Sequence, residues 1–524
     1  MIQALKKLHE QRIDGFLLRL RQMWYEDEVP LTVEYCVFNP MVPFERRLEG
    51  RCRPAVKGKA WGKDWDRAWF HLQGKIPGEW KEKNICARID LGGEGLIFSA
   101  DGMPLQALSV HTIWPNPDFR RDRFEISERA QGGEAVDLWI EASAGQLFGL
   151  KLETDRGNLV PEIFGRHEAA VADHCLAVFR KDIWDLSLDV FVLNNLMRAL
   201  PEKSVRRDRI LQALTRAADL FTGEPANVRE VRDVLAPELA KKSSASDLET
   251  TAVGHAHLDT AWLWPIGETI RKCGRTFASQ AGLIEKYPGY IFGASQAQHY
   301  AWVKEYYPKL YQKIKGLVAS GRWEILGGMW VEADCNLIGG EFMVRQILHG
   351  KAFFREEFGA EVRNLWLPDV FGYSASMPQV LQRSGLAAFV TQKMSWNQFN
   401  RLPHTAFRWR GIDGTEVVTH FPPEDNYNSE LLPAALLRAR ENFVEHDVLD
   451  EFLTLFGIGD GGCGPTEEII EAGLRQRDLE GSPRLRFGKA QEFLDRLAGK
   501  AGLPRLVGRA LLRIPPRHLH DAGL

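Results

Sequence analysis

The spacing of apolar positions changes several times along the chain, and each change marks a different kind of element. Leu5, Leu8, Ile13, Phe16, Leu17 and Leu20 recur near the helical period, so residues 1 to 30 predict one amphipathic helix. From 31 to 168 the segments shorten. TVEYCVF, AWFHLQGKI, NICARIDL, GLIFSA and AVDLWIEAS are β-branched or aromatic runs between Gly, Pro and Asp turns, which predicts a β-sandwich. Helical spacing returns over 169–247, with Leu186, Val190, Leu193, Leu196 and Met197 on one face, before the polar linker KKSSASD. Beyond 248, apolar strands near 250–255, 290–296, 323–329, 363–368, 387–392 and 453–459 alternate with helical periods near 268–287, 298–319, 340–358, 376–384 and 465–475. That alternation predicts βα units around a parallel sheet. The expected fold class is α/β: a (β/α) barrel over 248–500, preceded by a β-sandwich and a helical segment, with chemistry at the C-terminal strand ends.

Length and composition narrow the picture. At 524 residues the chain exceeds a single core, and two to four domains are expected. Sixteen tryptophans serve packing first, and some can stack on sugars. A net charge of -3 leaves no basic footprint for nucleic acid and no polybasic segment for a membrane surface. The N-terminal stretch is charged throughout, without the apolar core of a signal peptide, and no window reaches the roughly 18 apolar residues of a membrane span. Seven scattered cysteines without C-x-x-C spacing argue against a disulfide framework or a cysteine zinc site, so a reduced, cytoplasmic location is expected.

Three predicted loops carry the chemistry. Gly254-His255-Ala256-His257-Leu258-Asp259 follows the first strand, and its imidazoles and carboxylate can converge on a divalent metal. The same string would also suit a hydrogen-bonded loop. Leu367-Pro368-Asp369-Val370-Phe371-Gly372-Tyr373 follows a later strand of the same sheet; Asp369 there can bind metal, attack a carbon, or cap a helix. Gly459-Asp460-Gly461-Gly462-Cys463-Gly464-Pro465 follows the last predicted strand, and its glycines permit either close backbone approach to a ligand or a plain tight connector.

Together these loops resemble the glycoside hydrolase family 38 α-mannosidases, in particular the cytosolic and vacuolar branch with a long N-terminal region. The resemblance is carried by VGHAHLDTAWLWPIGET, GGMWVEADCNLIGGE, LWLPDVFGYSASMPQ and FGIGDGGCGPT, in that order. It implies a seven-stranded type of barrel and one divalent metal, zinc or else cobalt, held by His257, Asp259 and Asp369. It further implies Asp369 as the nucleophile of a retaining, double-displacement hydrolysis of terminal α-linked mannose from oligosaccharides. Asp460 is the candidate acid/base, although the family's Golgi branch has two adjacent aspartates where this chain has one. Trp262, Phe371, Lys393 and Asp334 are the implied substrate-binding residues, and His255 is expected to orient a ligand. The full-length form is a possible homo-oligomer. Two other classes fit the loops alone: a metal-dependent deacetylase, and a silent carbohydrate-binding remnant.

Residues 501–524 depart from the family. Relatives continue for several hundred residues, into a region whose early part supplies a further metal-binding histidine. Read one base out of frame, Leu506 to Leu524 can become WSGELYFEYHRGTYTTQA, which resembles that region. A frameshift near Leu506 is therefore expected, with His518 and His520 as accidents of the shifted frame and weak or absent turnover for the chain as written.

Overall fold

The computed structural model describes residues 3–109, 120–145, 167–262 and 264–511. The N-terminal helix Gln3–Gln22 joins a bundle with helices Lys181–Ala199, Val205–Leu220 and Pro225–Leu239. Its Ile13, Phe16, Leu17 and Leu20 pack into one buried cluster with Leu186, Leu193, Leu211, Leu214 and Val231. Each such side chain contributes roughly 1.5–3 kcal/mol on leaving water. Ser204 caps Val205–Leu220 by accepting from the Arg207 amide.

Between the first helix and the rest of the bundle the chain forms a β-sandwich. One sheet runs in the order Tyr25–Pro30, Asp173–Phe179, Ile85–Asp90, Arg123–Ser127; the other runs Cys52–Pro54, Thr32–Val37, Arg67–Lys75, Ala135–Ser143, Glu94–Phe98, Pro104–Leu108. Every neighbouring pair is antiparallel. Phe70, Leu72 and Ile140 meet Ile85, Ile89 and Leu176 in its core. Thus the sheets take in strands on both sides of the 31–168 span, because a ladder between residues 25–30 and 173–179 is a non-local pairing. The parts of that span at 110–119 and 146–166 lie outside the described residues. The expectation of reduced cysteines needs correction at one pair. Cys36 and Cys52 are register partners on adjacent strands, with Cα atoms 4.2 Å apart, and are disulfide-bonded. The other five cysteines are buried thiols.

The C-terminal unit opens with the strand Glu249–His255, buried on both faces as a central parallel strand must be. It pairs in parallel with Phe292–Ala294, Glu451–Phe456 and Arg484–Phe487, and Trp323–Ile325 extends the sheet. A second sheet carries Asn364–Trp366, Ala388–Val390, Glu416–His420, Ala406–Arg410 and Arg505–Val507, parallel except at the hairpin Ala406–Arg410/Glu416–His420. The expected closed barrel is therefore corrected: among the described residues the strands form two five-stranded sheets and one two-stranded pair, not one continuous ring of main-chain pairing. Side chains stitch the seams. Asn364 Oδ1 accepts from the Gly327 amide at 3.1 Å, and His420 Nε2 accepts from the Leu453 amide at 3.2 Å.

Helix Gly340–Phe358 matches its expected span, whereas the expected 298–319 helix is two, Ala297–Tyr306 and Pro308–Ala319, because Pro308 opens a new helix. The hairpin and the helices Pro433–Asn442 and Ala490–Ala498 were not expected. Ala510–Leu511 pairs with Gly372–Tyr373, while 512–524, with His518 and His520, lies outside the described residues. No described helix is long and apolar enough to cross a membrane.

Helix Ile266–Lys286 packs the C-terminal unit against the sandwich through a buried charge network. Glu94 accepts from Lys272 Nζ at 2.7 Å and Arg275 at 2.9 Å; Arg275 also bonds Glu268, which accepts from Ser143 Oγ at 3.0 Å. Burial opposes the charge of Glu268, but Arg275 and Lys272 outweigh it and hold the carboxyl below its usual range. Glu94→Ala would leave two buried cations without that carboxylate and is expected to cost about 3–5 kcal/mol, read from the urea midpoint at constant m-value. A second expectation concerns acid. Burial depresses the His420 pKa to about 3, below the roughly 6.5 of an unfolded imidazole. Its stabilising contribution is thus full above pH ~6.5 and is lost as pH falls toward 3. His420→Gln should flatten the fall of melting temperature between those limits.

Candidate active site

Every parallel strand that borders the cleft delivers a polar side chain just past its C-terminal end, the position where open α/β sheets place ligands. His257 and Asp259 follow Glu249–His255, Glu332 and Asp334 follow Trp323–Ile325, and Asp369 and Phe371 follow Asn364–Trp366. Lys393 follows Ala388–Val390, Tyr427 follows Glu416–His420, and Asp460 follows Glu451–Phe456. These residues line a cleft of about 220 Å³. That is small beside the roughly 300–1,000 Å³ of sites for drug-sized ligands. A single ring suits it better than an extended chain.

His257 is the hub. Its Nε2 lies 3.3 Å from Asp259 Oδ1, 3.6 Å from Asp369 Oδ2 and 3.9 Å from Asp460 Oδ1. Behind it, Nδ1 lies 3.1 Å from Glu332 Oε2, an ion-pair distance without hydrogen-bond alignment. Burial disfavours the charged imidazole, yet Glu332 and Asp259 outweigh it and hold its pKa well above the usual value. Burial pushes the Glu332 carboxyl up, against the pull of His257. Glu332 is itself held by Ser295 Oγ at 3.1 Å and Gln296 Nε2 at 3.2 Å, and Gln296 also reaches the Leu258 carbonyl at 2.8 Å. Gln296 does this from a φ of 65°, a left-handed conformation at a non-glycine position beside the site.

Lys393 donates to Asp369 Oδ1 and lies over the rings of Phe371 and Trp396, at 4.9 and 3.6 Å from their centroids. Asp369 Oδ2 is left facing His257. Asp460 Oδ1 accepts from the Tyr427 hydroxyl at 3.0 Å. Burial raises the Asp460 pKa to about 7; His257 opposes this, while Asp369 and Asp259 reinforce it. The residue has φ 51°, and an added Cβ on Gly459 before it would meet Asn428 Oδ1 at 2.4 Å.

Ligand atoms of His257, Asp369 and Asp460 lie within 4.8 Å of one another. Asp259, an expected ligand, touches His257 but stands outside this trio, whereas Asp460, expected as acid/base, lies within it. One imidazole nitrogen among several carboxylates concentrates negative potential in a low-dielectric pocket. Such a donor set fits a divalent cation taking nitrogen and oxygen ligands, and does not separate zinc from cobalt. Trp262 lines the cleft edge-on to Trp264, at 5.9 Å. Asp334 also borders it, but its Oδ1 accepts from the amides of Asn336 and Leu337 and so builds a turn. His255 is corrected from its expected role. Its ring bonds the Gly293 carbonyl and Trp366 Nε1, both at 3.3 Å, and burial lowers its pKa to about 3, so it fastens strands together.

Glu332, Gln296, Tyr427 and Trp396 were not expected. Glu332 stood in the quoted string GGMWVEADCNLIGGE, two residues before Asp334; Tyr427 follows a strand that the sequence pattern did not predict.

A family model described as "Glycosyl hydrolases family 38 N-terminal domain" matches residues 247–509, and another, "Alpha-mannosidase, jelly roll domain", matches 29–171. The chain belongs to glycosyl hydrolase family 38. "Alpha-mannosidase G" of Dictyostelium discoideum is 36% identical over 84% of this chain and 40% of its own length. "Alpha-mannosidase 2C1" of Mus musculus is 32% identical over 94% of this chain and 47% of its own. The family 38 chain therefore spans less than half the length of these relatives. A solved α-mannosidase from Enterococcus faecalis superposes with a TM-score of 0.43 at 19% identity, covering 50% of this chain and 31% of that one.

In a carboxylate–histidine–metal arrangement the carboxylate fixes the ring's orientation. Glu332→Gln is expected to weaken retention of a divalent cation by about 10–100-fold, measured by competition against a chelator. Unchanged affinity would mean that Glu332 does not orient His257.

Proposed function

We propose that this family 38 chain carries the catalytic machinery of a retaining α-mannosidase acting on terminal α-linked mannose of oligosaccharides. The observation that carries the reading is the spacing of the two carboxylates. Ligand oxygens of Asp369 and Asp460 lie no more than 4.8 Å apart, a proximity that supports the roughly 5–5.5 Å carboxyl separation of retaining enzymes over the roughly 6.5–9.5 Å that inverting ones need for a water. Relatives whose names say α-mannosidase, aligned over most of this chain, support the substrate class.

In this reading Asp369 attacks the anomeric carbon. Lys393 neutralises one of its oxygens and directs the other into the cleft. Asp460, whose pKa burial lifts to about 7, donates to the leaving oxygen and then takes a proton from water. Tyr427 occupies one Asp460 oxygen, which leaves the other for that proton. Trp262 and Phe371 wall the sugar. His257, Asp259 and Asp369 would hold a divalent ion, zinc or cobalt, whose role when bound is to grip vicinal sugar hydroxyls and favour a distorted ring. A cytoplasmic location, and assembly of the full-length form as a homo-oligomer, belong to the same proposal.

Proton NMR of the anomer first released from an aryl α-mannoside tests this, and slow turnover is enough. Retention is expected, and Asp369→Asn should reduce the rate by about a thousandfold or more. Inversion of the product, or full activity in that variant, would overturn the assignment.

A further inference from the structure

The loop that carries Asp460 is held from outside its own domain. Arg121 belongs to the sandwich, where its backbone exchanges two hydrogen bonds with Ser109, each 3.0 Å. Its side chain, 7% exposed, crosses to the C-terminal unit and donates to three carbonyls of the catalytic loop: Gly462 at 2.7 Å, Pro465 at 3.1 Å, and Gly464. Gln280 Nε2 grips the same turn at the Cys463 and Pro465 carbonyls, at 2.6 and 3.0 Å.

The loop needs such holding. Asp460 and Cys463 both have positive φ, at 51° and 69°, and no hydrophobic side chain between Gly459 and Gly464 other than that of Cys463 anchors it. A non-glycine residue persists in that region only when its surroundings over-determine it. The donors contribute to this: they serve the carbonyls of Gly462, Cys463 and Pro465, while that of Gly464 accepts from the Ile458 amide as well, at 3.1 Å, and a guanidinium with its rigid fork can serve several at once. Beneath the loop, Lys272 fills the space where a Cβ on Gly461 would sit, with its Cδ 2.7 Å from that position. Lys272 is in turn held by Glu94 of the sandwich.

We propose that Arg121 is a positioning residue for the acid/base carboxyl, and that the sandwich is thereby a working part of the active site. Arg121 does not touch the cleft-facing carboxylates; it sets the backbone from which Asp460 points. This rests on the assignment of Asp460 above. It predicts that losing the clamp impairs proton donation more than nucleophilic attack.

The test compares Arg121→Met and Arg121→Lys with the parent chain in two measurements. The first is hydrogen exchange of the peptide spanning 457–466. Faster exchange there, with the central strands of both sheets unchanged, is expected for the methionine variant, and an intermediate rate for the lysine variant. Unchanged protection of the loop would overturn the clamp, whatever the activity. The second is turnover of aryl α-mannosides with good and poor leaving groups, since only the poor ones need the acid. Arg121→Met should slow the poor ones by about 10–100-fold and the good ones by less than about 3-fold, with bound metal content unchanged. Equal slowing of both would overturn the positioning role. Where the parent chain turns over neither substrate, the exchange experiment alone decides the clamp. The lysine variant keeps the test usable if the methionine variant fails to fold.

Discussion

The site is organised around one buried imidazole surrounded by acids. Asp259, Asp369, Asp460 and Glu332 all approach His257 within 3.9 Å, in a cleft where little water reaches them to dilute their repulsion. Such a group of acids is tolerable only with positive charge in its midst. The protein supplies part of it through Lys393 and the upward-shifted imidazole. A divalent cation is the remaining candidate, and the chemistry proposed for the family 38 fold uses that same concentration of charge. The Asp369 carboxylate paired with Lys393 and the upward-shifted Asp460 carboxyl within 4.8 Å of it are two outcomes of one electrostatic arrangement.

Holding that arrangement accounts for much of the surrounding structure. Parallel strands bring their C-terminal ends to a common edge, so residues from separate loops converge on one cleft. Gln296 and Gly459 take the conformations or close approaches that the convergence demands. The sandwich then braces the edge. Its Glu94 anchors Lys272 and Arg275 on helix Ile266–Lys286, and its Arg121 reaches the Asp460 loop. The N-terminal region is thus joined to the catalytic unit by buried, directional contacts, which are costly to break, alongside an apolar seam in which Trp69, Leu96 and Phe98 of the sandwich cluster with Phe277 and Tyr307.

Local patterns made a good deal of this legible. Helix Gln3–Gln22, the sandwich strands and helix Gly340–Phe358 follow from apolar periodicity, which depends only on neighbours along the chain. The motif-bearing loops were legible for the same reason: a strand followed by His-x-His-x-Asp or by Gly-Asp-Gly-Gly marks a strand end with donors on it, and their order along the chain carried the family. Long-range features were less accessible. The Cys36–Cys52 bond depends on a register between strands. The hairpin Ala406–Arg410/Glu416–His420 is made of short strands whose burial comes from distant partners, so Tyr427 behind it was not foreseen.

By itself the sequence determined the fold class, the family, and most of the side chains that line the cleft, because these follow from local periodicity and from motifs read in order. Only the tertiary structure decided what each of them touches. It placed Asp460 beside His257 and Asp369, turned Asp334 to a backbone cap and His255 to a strand fastener, and brought in Glu332 and Arg121. It also opened the expected ring of strands into two sheets joined by Asn364 and His420. The physical reason is common to all of these. A carboxylate's role depends on the charges and dipoles within a few ångströms of it, and those come from residues up to several hundred positions away in the chain.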